Sequence, residues 1–285
     1  MKILCYNENK PKRFYMGEKI KYKKCPYCEL NYIPITDYCC KVCYANSQIA
    51  RQEAISQRNK KKEENKKQRE LIKLQELEKE KLQEYNNREN LLTLLDEFGF
   101  IGFLHTANFE NFINIYKCGF LKSRNQLTNE GALFEDNAEG SVLEHTDDII
   151  KSKVRFYYRQ ITPTNISAFV NHNQRNPVMF VFEKKLIFSE NVLFCDGCAG
   201  SSLTTLTKKA KEALTFNWKS IFSIGPFNSD DFVLKNHRNA EFLIDTPVPI
   251  DNANKIYFKN YKDYLRACEL FGQDNRFEHN PNLFY

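Results

Sequence analysis

Four cysteines, one histidine, an aromatic run and a late glutamate are the residues here whose types and spacing can do chemistry. Cys25-Pro26-Tyr27-Cys28 and Cys40-Lys41-Val42-Cys43 are two C-x-x-C units separated by eleven residues. Each such turn offers two thiolates from one tight loop, and two turns complete the soft tetrahedral set that zinc takes. Four thiolates leave no open position for water, so the metal implied is structural. In a module with little core, metal binding supplies much of the folding energy. Cys39 is a spare that can stand in for Cys40. A redox dithiol is the alternative, but the βαβ pattern that accompanies one is absent.

The second constellation is spread over three segments. His105 closes an apolar run, Val154-Arg155-Phe156-Tyr157-Tyr158-Arg159 is an aromatic strand pattern, and Arg238-Asn239-Ala240-Glu241 precedes another apolar run. A histidine at a strand end can bond a ribose, and an aromatic pair can stack on a flat ring such as nicotinamide. A fixed carboxylate can steady the positive charge that develops when a glycosidic bond breaks. Together they suggest a site that binds a dinucleotide and cleaves it. Each segment alone has a plainer reading: a core histidine, core aromatics, a solvated edge glutamate.

The elements that must position these residues differ in texture. Residues 1–44 carry nine Lys/Arg against four Asp/Glu (+5), residues 45–90 twelve against nine (+3), and residues 91–285 twenty-one against twenty-three (−2). The basic excess lies outside the region of the glutamate, so an N-terminal part that approaches a polyanion is attached to a near-neutral body. Lys19, Lys21, Lys23, Lys24 and Lys41, interleaved with Tyr22, Tyr27 and Tyr32, can meet nucleic-acid phosphates and bases, or simply be solvated. From Ala45 to Phe98 there is no Gly or Pro. That composition predicts one long helix, a candidate coiled coil of roughly 75–80 Å if unbroken. Its first half is polar; Leu71, Leu74, Leu77, Leu82, Tyr85, Leu91, Leu92, Leu94 and Leu95 mark a second half that packs on the body, and Gly99 is the stop.

Beyond Phe100, short β-rich runs alternate with helical patterns. Strands are expected at 100–104, 154–158, 178–182, 221–224, 241–244 and 255–258, and helices at 109–117 and 206–214. Cys195-Asp196-Gly197-Cys198 has no second pair nearby and reads as a turn with incidental thiols. Met1–Tyr6 lacks an apolar leader core and no run is long enough to span a bilayer, so a reducing cytoplasm and no membrane partner are expected.

The stretch His105-Thr106-Ala107-Asn108-Phe109 through Gly119-Phe120-Leu121 resembles the opening of the DarT family of nucleic-acid ADP-ribosyltransferases. In that order follow the aromatic strand with its Pro163 turn, Pro177–Phe182, the Asp196-Gly197-x-Ala199 loop and Arg238-x-Ala240-Glu241, each similar to a family segment. The resemblance spans roughly residues 100–270 and leaves the knuckle and long helix outside. It implies an α+β fold: an ADP-ribosyltransferase-like mixed β domain (99–285) preceded by a four-cysteine zinc knuckle (1–44) and a long charged helix (45–98). It implies NAD as substrate, Glu241 as catalytic carboxylate, His105 on the nicotinamide-side ribose, and Tyr157 or Tyr158 beside the nicotinamide. Arg124 would meet the pyrophosphate, with Thr106 and Asn111 completing the cofactor contacts. Where such enzymes have Ser or Thr two residues after the histidine, this chain has Ala107. The family's proton-abstracting Arg precedes the aromatic strand; between Ser141 and Lys153 only Lys151 and Lys153 are basic, which leaves Arg155 as the candidate. The expected activity is transfer of ADP-ribose to a base in single-stranded DNA, by a toxin or antiphage effector with a macrodomain antitoxin. RNA or protein as acceptor is an alternative, and a noncatalytic zinc/coiled-coil adaptor is another.

Overall fold

A computed structural model describes residues 22–26, 29, 31–34, 40–132, 134, 147–170, 176–226, 228, 230–245 and 247–284. The chain divides into two units, Met1–Leu77 and Glu78–Tyr285. One helix, α1 (Lys41–Glu97), runs through the division. Among the described residues no helix is long and apolar enough to cross a membrane.

In the first unit, β1 (Tyr22–Lys24) and β2 (Tyr32–Pro34) pair antiparallel, with Lys23 opposite Ile33. The chain then enters α1, where Tyr44 N–H donates to the Cys40 carbonyl. From Arg51 to Leu77 every helical side chain is exposed. The polar composition requires this through Glu70, but Leu71, Leu74 and Leu77, expected to pack on the body, are exposed too, as is Leu82, which corrects that expectation.

The second unit begins with the end of α1, which is built into the body. Leu91 and Leu95 are fully buried, Tyr85 stacks on Phe188 at 4.9 Å, and Arg88 Nη1 donates to the Ile187 and Ser189 carbonyls at 3.0 and 2.7 Å. Gly99 ends the helix with φ 76°, a left-handed conformation that a Cβ would oppose.

The strands of this unit are β3 (Phe103–Asn108), β4 (Phe120–Leu121), β5 (Val154–Tyr157), β6 (Pro177–Phe182), β7 (Val192–Cys195), β8 (Leu206–Thr207), β9 (Glu241–Ile244), β10 (Val248–Pro249), β11 (Ala253–Phe258) and β12 (Phe277–His279). Among the described residues, short β4 and β10 pair only with each other. The other eight form one sheet in the order β12-β11-β6-β3-β5-β9-β7-β8. All neighbours in it run antiparallel except β11 and β12. Period-two alternation gives the sheet two unlike sides. Phe103, Phe156, Phe180, Phe182, Phe194 and Phe242 make one side an aromatic layer, with Phe103 stacked on Phe242 at 4.0 Å. Helix α2 (Phe109–Cys118) covers it with Phe109 and Phe112. The other side carries smaller apolar groups, Leu104, Met179 and Val181 in one cluster and Cys195, Ala199 and Leu243 in another.

Three sequence expectations are corrected. The first strand does not end at His105: it continues to Asn108, pairing Thr106, Ala107 and Asn108 with Met179, Val178 and Pro177, and Asn108 then caps α2 by accepting from Asn111 N at 3.0 Å. Residues 221–224 are not a strand; Ile221 closes a short helix, Trp218–Ile221, capped by Asn217. The stretch 206–214 is mostly not helix: β8 takes Leu206–Thr207, and Thr207 Oγ1 accepts from Lys209 N, leaving a single turn at Ala210–Ala213.

Candidate active site on the face opposite the aromatic layer

Strands β5 and β9 pair Tyr157 with Glu241 and Arg155 with Leu243. Alternation therefore puts Arg155, Tyr157 and Glu241 on one side, opposite Phe156 and Phe242. Arg155 and Glu241 are diagonal neighbours, a separation that a long side chain spans. Arg155 Nη2 lies 2.7 Å from both Glu241 oxygens, and Ala199 N–H donates to Oε2 at 2.7 Å. The Glu241 side chain is 1% exposed and that of Arg155 34%. Burial is the largest single effect and would lower the Arg155 pKa, but the charge of Glu241, the neighbouring Tyr157 and the hydrogen bond to Glu241 together outweigh it and the net shift is upward. Arg155 is therefore a fixed cation. A guanidinium whose charged form is favoured further is poorly suited to accept a proton; the contact the geometry shows for Arg155 is the one to both Glu241 oxygens.

Tyr157 is half-buried, and burial first, then the Glu241 charge, raise its phenol pKa. It remains a neutral hydroxyl beside the carboxylate. Tyr158 points the other way. It is 1% exposed and meets Trp218 edge-on at 5.1 Å, with Phe100 and Phe103 around it. Its candidacy as a nicotinamide contact is corrected: it is a core residue.

His105 stands where β3 and β5 part. Their one bridge is Leu104 to Tyr157, and beyond it the imidazole reaches across, Nδ1 lying 3.0 Å from the Arg155 carbonyl. The ring sits 6.3 Å from both Phe156 and Phe180, on the aromatic side. Burial chiefly lowers its pKa, so the ring is neutral at neutral pH. A carbonyl only accepts, so Nδ1 carries the proton and Nε2 keeps a lone pair.

Of the other expected contacts, Thr106 alternates onto the Glu241 side of β3. Asn111 lies in the first turn of α2, where its backbone N–H takes the Asn108 cap. Arg124 opens helix α3 (Arg124–Asn129) behind the Ser123 cap, an element apart from the strands that bear the pair.

The Asp196–Ala199 loop was marked in the sequence only as similar to a family segment, with its thiols read as incidental; its role at Glu241 was missed. Cys198 Sγ lies 3.7 Å from Arg155 Nη2, and the next residue supplies the amide that holds Glu241. Burial, then the Glu241 charge, push the Cys198 thiol pKa up, so it is a neutral neighbour of the pair. Before Glu241, Arg238 Nη1 donates to the Gly225 carbonyl at 2.7 Å, while Arg159 Nη1 donates to those of Ile221 and Ser223 at 2.8 Å. The two arginines fasten the segment that leads into β9.

In the first unit, the sulfurs of Cys25, Cys40 and Cys43 lie within 4.8 Å of one another. Cys25 and Cys43 are 3.9 Å apart, close to the roughly 3.8 Å edge of a tetrahedron with Zn–S of about 2.3 Å. Cys40 N–H donates to Cys25 Sγ and Cys43 N–H to Cys40 Sγ, both at 3.4 Å, bonds that favour thiolates. This donor set fits a structural zinc. Cys28 and Cys39, like Lys19, Lys21 and Tyr27, lie outside the described residues.

Comparison with known proteins gives this arrangement a family. No curated protein matches the chain in sequence. Among solved structures, the fold resembles Thermus sp. 2.9 DarT in complex with ADP-ribosylated ssDNA, with 15% identity, 66% of this chain and 97% of that one covered, and a TM-score of 0.56. The same protein in complex with NAD+ gives 13% identity, 65% and 98% coverage, and a TM-score of 0.52. Thermosipho africanus DarTG in complex with ADP-ribose gives 15%, 65% and 51%, and 0.56. The family model described as "ssDNA thymidine ADP-ribosyltransferase, DarT" matches residues 104–285, which hold β5, β9 and all of β3 but Phe103. The chain belongs to the DarT family.

Proposed function

We propose that this protein cleaves NAD and transfers its ADP-ribose to thymidine in single-stranded DNA, with Glu241 as the carboxylate that stabilises the reacting sugar. The observation that carries the reading is the buried, doubly held Glu241. Its oxygens are fixed by Arg155 and by the Ala199 amide before any substrate arrives. Such preorganisation counts where charge develops in the transition state. The bond from the ribose to nicotinamide breaks with its electron pair leaving on neutral nicotinamide, and the ribose carbon becomes cationic. Glu241 faces that charge, and its remaining lone pairs orient a ribose hydroxyl. The base nitrogen attacks the same carbon as nicotinamide departs, and the N–H proton of the base passes to solvent water. Arg155 holds Glu241 in place through both of its oxygens.

His105 accepts a ribose hydroxyl at Nε2, since its other nitrogen is committed to Arg155 O. Tyr157 offers a neutral phenol to the nicotinamide side. Thr106, Asn111 and Arg124 complete the NAD contacts, Arg124 as a charge partner for the pyrophosphate. The basic first unit, held by zinc on Cys25, Cys28, Cys40 and Cys43, brings the strand to the near-neutral catalytic unit. In this reading the modification is toxic to a cell and is countered by a macrodomain partner, as the family resemblance implies. The protein acts in the cytoplasm, where its thiols stay reduced or on metal.

Oligonucleotides test the acceptor. Single-stranded DNA with one thymidine is expected to gain the mass of one ADP-ribose when incubated with protein and NAD. The same strand without thymidine, and its RNA counterpart, are expected to stay unmodified. Equal modification of RNA, or of a strand lacking thymidine, overturns the assignment.

A further inference from the structure

The amide that holds Glu241 belongs to the peptide unit between Cys198 and Ala199, and both ends of that unit are bonded. At one end, Ala199 N–H donates to Glu241 Oε2 at 2.7 Å. At the other, the Cys198 carbonyl accepts from the Thr204 hydroxyl at 2.7 Å. A hydroxyl has one proton to give, so Thr204 spends it on that carbonyl and accepts from Asn236 Nδ2, 3.1 Å away. Asn236 Oδ1 in turn accepts from Cys198 N–H at 3.2 Å. Asn236 itself is 7% exposed, on the short helix Phe232–His237 that leads toward Glu241. There is no slack around it: a Cβ on Gly197 would lie 2.1 Å from Asn236 Nδ2.

A trans peptide is planar, and its C=O and N–H point in opposite directions. Fixing the carbonyl on Thr204 therefore fixes the direction of the Ala199 N–H. If this unit turned over, its carbonyl would face the Glu241 carboxylate, oxygen against oxygen, and a donor would become a repulsive acceptor. We infer that Thr204 and Asn236 are positioning residues for catalysis: they keep the Cys198–Ala199 peptide turned so that its N–H faces Glu241. Neither needs to touch NAD or DNA. The inference rests on the assignment of Glu241 as the transition-state carboxylate.

The test compares Thr204→Val, Thr204→Ser and Asn236→Leu with the full-length protein, reading kcat and KM for NAD on a thymidine-containing strand. Thr204 lies in a half-exposed loop, so Thr204→Val removes one hydroxyl without opening a core cavity. An interaction that matters only in the transition state lowers kcat and leaves KM alone, so kcat is expected to fall about tenfold in Thr204→Val with KM for NAD within about twofold. Thr204→Ser, which keeps the hydroxyl, is expected to retain most of kcat. The double variant Thr204→Val/Asn236→Leu is expected to be little worse than the worse single variant, because both break one chain of bonds. Wild-type kcat in Thr204→Val overturns the inference. So does an equal loss in Thr204→Ser, or a loss confined to KM. Glu241→Gln run alongside separates the two claims: if it retains activity, the role of Glu241 has failed; if it is inactive while Thr204→Val is unimpaired, only the positioning role has failed.

Discussion

Replacing Arg155 by methionine should destabilise the catalytic unit far more than replacing Glu241 by glutamine. The two side chains form one ion pair, but they are unequally placed, 34% exposed for Arg155 and 1% for Glu241. Methionine at 155 strands a carboxylate in the interior with only the Ala199 amide as donor. Breaking a buried pair from one side costs about 3–5 kcal/mol. Because water already reaches part of Arg155, the lower figure, about 3 kcal/mol, is the one to expect. A unit the size of Glu78–Tyr285 loses roughly 2–4 °C of Tm per kcal/mol, so the drop should be roughly 6–12 °C. Glutamine at 241 keeps an acceptor for Ala199 N–H and leaves Arg155 free to turn toward water, so its cost should be about 1 kcal/mol. The double variant removes the stranded charge and should be more stable than Arg155→Met alone. Thermal and urea unfolding measure all three. Equal losses for the two single variants, or a double variant that is the sum of both, would refute the reasoning.

Tyr157 and Tyr158 should separate cleanly: Tyr157→Ala raises KM for NAD with little change in Tm. Tyr158→Ala opens the aromatic layer and costs about 3–5 kcal/mol of stability, read by urea unfolding. Removing residues 1–77 should leave a folded catalytic unit that still cleaves NAD but binds single strands more weakly. Removing residues 1–98 should yield insoluble protein, because Arg88, Leu91 and Leu95 go with it. A zinc chelator should unfold the knuckle, seen as loss of bound metal and of DNA affinity, while NAD cleavage persists. The bond from Arg276 holds the Asp274 pKa down at about 2, against an opposing effect of burial. A depressed carboxylate contributes stability that is full above about pH 4 and lost as pH falls through 2. The Tm gap between wild type and Arg276→Met should therefore shrink over that window, and a gap independent of pH would contradict it.

Part of the candidate site was legible because ordered segments similar to a family singled out side chains that the strands do bring together, Arg155, Tyr157 and Glu241. Glu241 and the aromatic strand could be found, and Gly99 marked the end of a helix free of Gly and Pro. The choice between Tyr157 and Tyr158 was also written in the sequence, in the alternation of Val154, Phe156 and Tyr158 against Arg155 and Tyr157. It needed the knowledge of which side is core. The Asp196–Gly200 loop could be marked as similar to a family segment, but its role was not legible because it acts through a backbone N–H, which any residue but proline supplies. Its outward sign was Gly197, where a Cβ would strike Asn236. The helix expected at 206–214 failed for a local reason: Thr207 bonds the Lys209 amide and turns the chain before a helix can propagate.

The central claim is that Glu241 catalyses transfer from NAD to a thymidine. The most direct test is intact-mass analysis of a single-thymidine DNA strand after incubation with NAD and either wild-type protein or a folded Glu241→Gln variant. One ADP-ribose adduct is expected with wild type and none with the variant. An adduct of equal yield with Glu241→Gln, or none with wild type while its fold and NAD binding are intact, would contradict the claim.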